Sequence, residues 1–564
     1  MTSWKQKKRC LDRLTGEKGW SRKIWGDRLT VCLVYPNRYR TGMSNLGFHA
    51  VYALINRHPD CLCERAFLPE SDDGNSASDG ASLTSIESQR PLTDFDVIAF
   101  SLSFENDYPH VLQMLEAAGI PMKSSDRTER HPLVIGGGIA VTLNPEPLAG
   151  FFDLFLIGEG EAVLPGFLDR MASLPRDTAR DAVLGRIQRE IAGAYVPRFY
   201  RVNTGSDGRI TAREALHPDF PERISRPWIA DLDAFATEQQ IVTRKTELGE
   251  MYLTEISRGC GHGCRFCAAG FAYRPPRFRS AAVLESSFRH GLETGKTIGL
   301  LGTAVSDHSD LPSLCRTILD RRGNVAVGSL RMERLDTEMA AILQETGVET
   351  VSLAPEAGSQ RLRNVIRKGI GEEEIFSAVE KLMECGIVQA RLYFMIGLPT
   401  ETDEDVEAIV RLVREMQRRA RKFPGRRNGF RRLTLSINQF IPKAATPFQW
   451  HPLENIAVVR RRIRRIREGL RGERAVRIIH ELPKWNYIQA LLALGDRQVG
   501  EILLTAHRLG GNWIRAFREA DIRADSYVYR KKEPDEILPW DFIDHGVPKT
   551  FLIHEYRKAL SGET

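Results

Sequence analysis

The sequence predicts an α/β protein: a doubly wound parallel sheet in the first third, six further strand–helix units in the middle third, and a mainly helical C-terminal domain. Two observations carry this reading. Short apolar, β-rich runs recur between stretches with helical spacing. Many of these runs end in glycine, as in Gly136-Gly137-Gly138 and Gly158-Glu159-Gly160, where a backbone can approach a ligand closely. The chain of 564 residues is too long for one core, and its length suggests about three to four domains.

Residues 1–27 form a basic N-terminal segment with no apolar signal core behind it. An α/β domain is expected over 28–200, with strands at 29–35, 96–101, 133–136 and 154–158. Residues 45–57 carry Leu46, Val51, Leu54 and Ile55 near helical spacing, and 108–118 read similarly. Residues 71–88, within 60–95, are rich in Ser, Asp and Gly and read as a flexible surface insertion. Scattered prolines make 201–245 a connecting segment. The second α/β domain, 246–450, has strands expected at 251–256, 297–302, 325–328, 350–354, 391–396 and 433–437. In 451–564, Ile456, Val459, Ile463, Ile466 and Leu470 step by three and four, with seven arginines between Arg460 and Arg471. This is an amphipathic helix with a basic face. Such a face suits phosphate or RNA, or equally a solvated surface or acidic partner segments, since no aromatic residues interleave the charge. Residues 485–510 read as helical, with a break at Gly495-Asp496-Arg497, and 538–547 as an ordered turn.

Apolar residues make up 42% of the chain, an ordinary share, and no run is long enough to span a membrane. Nine cysteines, an odd number thinly spread, do not form a disulfide framework. These features point to the reducing cytoplasm. A net charge of +7 permits an acidic or nucleic-acid substrate without arguing for one.

The most specific motif is Cys260-Gly261-His262-Gly263-Cys264-Arg265-Phe266-Cys267, preceded by Gly259 at the end of an expected strand. Iron–sulfur cubanes commonly have four thiolate ligands, so a compact trio leaves one iron open. A structural zinc knot completed by His262, Cys315 or Cys385 is the alternative, although zinc ribbons usually show two separated ligand pairs.

The C-x3-C-x2-C spacing, its glycines and Phe266 resemble the cluster loop of radical S-adenosylmethionine (SAM) enzymes. The resemblance implies a partial (β/α)6 TIM-type barrel and a 4Fe-4S cluster on Cys260, Cys264 and Cys267. It further implies reductive cleavage of SAM at the open iron to methionine and a 5′-deoxyadenosyl radical. By the same resemblance Phe266 adjoins the SAM site, Gly302-Thr303 contacts the methionine amino group, and Arg331 or Arg391 pairs its carboxylate. Glu356, with Ser359 behind it, contacts the ribose, and Ile396-Gly397 the adenine. A carboxylate can accept two ribose hydroxyls, and a guanidinium fork suits a carboxylate; a rim salt bridge is the plain alternative for either arginine. Asn438 to Phe448 resembles the segment that ends the barrel in methylthiotransferases and cobalamin-dependent radical enzymes.

The first domain resembles the cobalamin-binding domain that precedes many radical SAM barrels, which makes Tyr35, Ser101, Ser103, Gly137, Gly138, Gly158 and Glu159 candidate cobalamin contacts. The usual Asp-x-His-x-x-Gly cobalt loop is replaced by Tyr35 to Asn45, which has no histidine. A retained fold that binds something else is the alternative. The resemblance also implies that the first sheet caps the barrel mouth and that a flavodoxin or ferredoxin supplies electrons. With cobalamin the expected reaction is methylation of an unactivated carbon. Without it, rearrangement, sulfur insertion or oxidation is expected, RNA modification included. A methylthiotransferase ranks lower, because Cys10, Cys32, Cys61 and Cys63 lack the context of an auxiliary-cluster trio. A non-catalytic zinc or iron–sulfur protein binding nucleic acid through its basic helix is the rival of another class. No catalytic carboxylate and no substrate is assigned.

Overall fold

A computed structural model describes residues 4–69, 83–294, 297–328, 330–423 and 429–562. The chain divides into two compact units. The first comprises residues 1–250, 491–527 and 535–546, and the second 251–490, 528–534 and 547–564.

The first unit is built on a six-stranded sheet: β1 (Leu29–Tyr35), β2 (Cys61–Phe67), β3 (Val97–Ser101), β4 (Leu133–Gly137), β5 (Leu154–Leu156) and β6 (Ala194–Tyr195). Their order is β2-β1-β3-β4-β5-β6, parallel except for β6. The chain winds outward in both directions from β1, so the topological switch point lies between β1 and β3. Val31, Leu33, Val97 and Ile135 are buried in its core beside Phe48, Tyr52 and Ile55 of the helix Leu46–Arg57.

β2 is absent from the sequence reading because Glu64-Arg65 interrupts its apolar run. Both side chains find polar partners inside the fold. The fully buried Arg65 meets Glu17 and Glu87, each at 2.6 Å, and Glu64 accepts from the Trp25 indole at 3.0 Å. Of the expected insertion, residues 70–82 lie outside the described residues. Leu83 to Ser85 are buried and Glu87 is nearly so.

The segment read as a connector folds onto this unit as a hairpin, β7 (Tyr200–Thr204) with β8 (Ile210–Ala215), and as β9 (Ile224–Ser225), which pairs with Ile543–Asp544. In place of a separate domain over 451–564, residues 491–527 and 535–546 belong to the first unit. Buried Asn144 donates to the carbonyls of Ala493 and Gly495, and Arg497 reaches Glu146 at 2.9 Å.

In the second unit all six expected strands form: β10 (Tyr252–Arg258), then β12 (Thr297–Gly302), β13 (Asn324–Val327), β14 (Thr350–Glu356), β15 (Gln389–Ile396) and β16 (Arg432–Gln439). The short β11 (Arg277–Phe278) runs antiparallel to β10. A seventh parallel strand, β17 (Val476–His480), was not expected. The ladders are β11-β10-β12-β13 and β14-β15-β16-β17. The barrel therefore continues past the segment expected to end it. The amphipathic helix Ile456–Gly469 is the crossover between β16 and β17. Its basic face meets acidic segments: Arg462 pairs with Glu401 and Glu454, and Arg465 with Asp403 and Glu407. β17 escaped detection because Val476-Arg477-Ile478-Ile479-His480 is a short edge strand without a buried face.

Removing one partner of a buried ion network leaves an uncompensated charge. Arg65→Ala should therefore cost about 3–5 kcal/mol of stability, read in denaturant unfolding followed by a probe within the first unit. The exposed control Arg57→Ala should stay within about 0.5 kcal/mol.

Candidate active site

The cysteine loop leaves the carboxyl end of β10 and is closed at its base where Arg258 pairs with Arg277 of β11. Gly259 turns the chain at φ +84°, and a Cβ there would lie 2.3 Å from the Tyr273 carbonyl oxygen and 2.8 Å from that of Pro275. Only glycine fits. Fully buried Arg265 pins the loop: its N–H donates to the Ile366 carbonyl, and its guanidinium to the Val365 carbonyl at 2.9 Å and to Glu555 at 3.0 Å. This clamp lays the cysteines against the turn that ends in Lys368.

Cys264 is buried, and Cys260 and Cys267 are half-buried. Burial pushes the Cys267 thiol up to about 11 and raises that of Cys264. For Cys264, Lys368 and Arg331 oppose that effect, while Cys260 and Glu356 add to it. The donor set suits an iron–sulfur cluster: thiolates are its ligands, and nearby cations favour keeping them ionised. His262 Nε2 lies 2.6 Å from Asp307 Oδ2, and Cys260, His262 and Asp307 offer ligand atoms all within 4.8 Å of one another.

Around this loop stand several of the expected SAM contacts. Phe266 is half-buried between two cysteines. Gly302 and Thr303 are exposed at the end of β12. Arg331 is held by Glu333 (Nε to Oε1, 2.6 Å). Glu356 ends β14 at φ +65°, a conformation that L residues adopt only when the fold imposes it. Burial raises its carboxyl pKa against Lys368, whose Nζ is 3.3 Å away. Lys368 was missed; the only signal for it is its place at a helix end twelve residues after Glu356.

Other expected contacts stand differently. Ser359 caps the helix Gln360–Val365, accepting from the Leu362 N–H, and its hydroxyl donates to Asp405. Arg391 is the third residue of β15, five residues or about 16 Å below the strand end, and is not brought to the cluster loop. Ile396 is fully buried. The Gly397 N–H donates to Glu401 at 2.6 Å, and Arg462 binds the same carboxylate at 2.7 Å and the Glu401 carbonyl at 2.9 Å. Burial pushes the Glu401 carboxyl up to about 7 despite these partners.

In the first unit, Ser101, Ser103 and Gly137 are half-exposed near the switch point. Tyr35 is buried, and the Asn45 side-chain amide donates to the Ser103 hydroxyl at 3.2 Å. A Cβ on Gly138 would lie 2.5 Å from the Leu102 carbonyl, and one on Gly158 would lie 2.6 Å from that of Pro227. Both positions are taken by the protein's own backbone. Glu159 is buried against the same segment, its N–H donating to Pro227 and its carboxylate accepting from the Ile229 N–H. Thus the ends of β1, β3 and β4 leave a polar edge, while the β5 end is closed.

Residues 254–413 match the family model of the radical SAM superfamily, and residues 47–197 match that of radical SAM proteins, N-terminal. The chain belongs to the radical SAM superfamily. It is accordingly a radical SAM enzyme, a family whose members use a 4Fe-4S cluster and SAM and require a reductant. An uncharacterized protein of Methanocaldococcus jannaschii is 27% identical over 477 residues, covering 84% of this chain and 90% of that one. An uncharacterized methyltransferase of Pyrococcus horikoshii is 28% identical over 166 residues, which are 28% of this chain and 36% of the relative. Among solved structures, the radical SAM methyltransferase TsrM of Kitasatospora setae with cobalamin and a [4Fe-4S] cluster aligns with TM-score 0.45 and 16% identity. That alignment covers 73% of this chain and 75% of TsrM. No helix among the described residues is long and apolar enough to cross a membrane.

Two outcomes follow for this radical SAM site. Gly259→Ala should reduce iron loading to less than half of wild type, measured by metal analysis after anaerobic reconstitution, because its Cβ has no room. Arg462→Ala should weaken SAM binding about tenfold, or ~1.4 kcal/mol, in equilibrium dialysis, with iron content unchanged.

Proposed function

We propose that Cys260, Cys264 and Cys267 hold a 4Fe-4S cluster and that the reaction is methylation of an unactivated carbon with cobalamin as second cofactor. The observation that carries the cluster assignment is the closed loop that gathers three thiols, with Cys264 beside Lys368, Arg331 and Glu356. The reduced cluster, when bound, supplies the electron that cleaves SAM to methionine and a 5′-deoxyadenosyl radical; cobalamin, when bound, supplies a transferable methyl group.

The chain's own residues bind and orient. Gly302 and Thr303 present an exposed backbone for the methionine amino group, and Arg331 faces its carboxylate. Glu356, kept in place by Lys368, accepts the ribose hydroxyls. Gly397 offers its carbonyl edge to adenine while its N–H is fixed by Glu401, which Arg462 holds. Ser101, Ser103 and Gly137, at the edge of β1, β3 and β4, would hold cobalamin. A flavodoxin or ferredoxin of the reducing cytoplasm supplies electrons.

Two observations favour other readings. Closure of the β5 end by Pro227 to Ile229 favours cobalamin-independent rearrangement, sulfur insertion or oxidation. The Cys260, His262 and Asp307 group favours a single divalent ion such as zinc.

Anaerobic reconstitution with iron and sulfide, then dithionite and SAM, should give 5′-deoxyadenosine from wild type and none from the Cys260→Ala/Cys264→Ala/Cys267→Ala variant. Zinc in place of iron would sink the reading. Hydroxocobalamin should shift its absorption spectrum on adding the loaded protein; an unchanged spectrum would leave the cobalamin-independent reactions.

A further inference from the structure

The four strands β14 to β17 share one parity. Val351, Leu353, Ala390, Leu392, Phe394, Ile396, Leu433, Leu435 and Ile437 are buried on one face. That face receives the crossover helices, which must cover one side of a parallel barrel sheet. The alternate residues therefore line the concave face, and near the strand starts they form one row. Ser352 is in register with Arg391, Arg391 with Thr434, and Thr434 with Arg477, without a bulge between these pairs. Residues in direct register point to the same side.

Arg391 and Arg477 are both exposed. Among the described residues neither forms an ion pair or a side-chain hydrogen bond, whereas Arg419, Arg421, Arg462 and Arg465 on neighbouring helices all meet carboxylates. The two arginines stand two strand spacings apart, about 10 Å between Cα atoms, a distance their side chains can close over Thr434. Like charges so placed repel each other unless an anion lies between them. On the opposite half of the concave face Met251 and Leu253 lie over Gly299, which is in register with Ala326; Glu255, two residues past Leu253 on the same face, is already paired with Arg258 and Arg279.

We propose that Arg391 and Arg477 grip a terminal anionic group, a carboxylate or phosphate, of an elongated substrate whose apolar body runs up the concave face to the cluster loop. This rests on the radical SAM reading and adds a substrate class to it. The row lies about 16 Å below the end of β15, so the target carbon is separated from its anionic end by roughly that length. Guanidinium forks match both anions.

Calorimetric titration of the cluster-loaded chain with pyrophosphate and with succinate tests the site. The expected result is a single anion site in wild type, weakened about tenfold or more in Arg391→Gln and in Arg477→Gln, partly restored in Arg391→Lys, and unchanged in Arg460→Gln. The anion preferred indicates a phosphorylated or a carboxylated substrate. No binding in wild type, or equal binding in wild type and both glutamine variants with matched circular dichroism, would overturn the proposal. Formation of 5′-deoxyadenosine by wild type is scored separately: anion binding without it sinks the radical reading alone, and the converse sinks this one alone.

Discussion

The antiparallel closure of β11 on β10 is the constraint from which the site follows. It forces the chain to leave the end of β10 and return to it through residues 259–276, and Gly259 makes the turn possible because a Cβ there would lie 2.3 Å from the Tyr273 carbonyl oxygen. A loop so closed has little freedom left. Arg265 removes the rest by entering the interior and spending its donors on Val365 and Glu555. That clamp carries the Glu356–Lys368 pair to the thiols, so backbone sterics at one glycine end in the electrostatics of the whole centre.

Those electrostatics have a clear sense. Burial alone would keep Cys264 and Cys267 protonated, the wrong state for ligating iron. Lys368 and Arg331 oppose this at Cys264, but neither is a free charge: Lys368 is paired with Glu356 and Arg331 with Glu333. Both of these cations thus already have a carboxylate partner, and binding a metal is what finally fixes the thiols as thiolates. The raised carboxyl of Glu356 belongs to the same balance, since its burial costs less once a hydrogen-bonding partner reaches it.

How much of this could be read from the sequence depends on how local each signal is. The cysteine spacing is contiguous and was legible, as were the long apolar strands β10, β14, β15 and β16. β2 and β17 were not, because charged residues break their runs and the partners that compensate, Glu17 and Glu87 for Arg65, are remote in sequence. Lys368 is invisible for the same reason. Gly138 and Gly158 show a different failure. A glycine at a strand end signals a close approach, but not to what, and here the close partners are Leu102 and Pro227 of the same chain. Arg391 was assigned by its neighbourhood in sequence, whereas its height along the strand decides what it can reach.

A closed eight-stranded barrel fills its interior with layers of branched apolar side chains and keeps no room for ligands there. In this chain the concave positions of β14 to β16 carry Ser352, Tyr393, Met395, Ser436 and Asn438, which cannot form such a core. Ladder pairing between β13 and β14 is absent among the described residues, so the two half-sheets need not converge on a common packed centre. The apolar residues are instead placed on the helix-facing side, where Leu392, Phe394 and Leu435 are fully buried. Stability is therefore drawn from the outer layer and the inner surface is left to chemistry. The β14 to β17 half of that surface is hydroxylated and basic, and the β10 to β13 half carries Leu253, Gly299 and Ala326 below the paired Glu255, a difference that would orient an amphipathic molecule along the strands before any contact with the cluster loop is made.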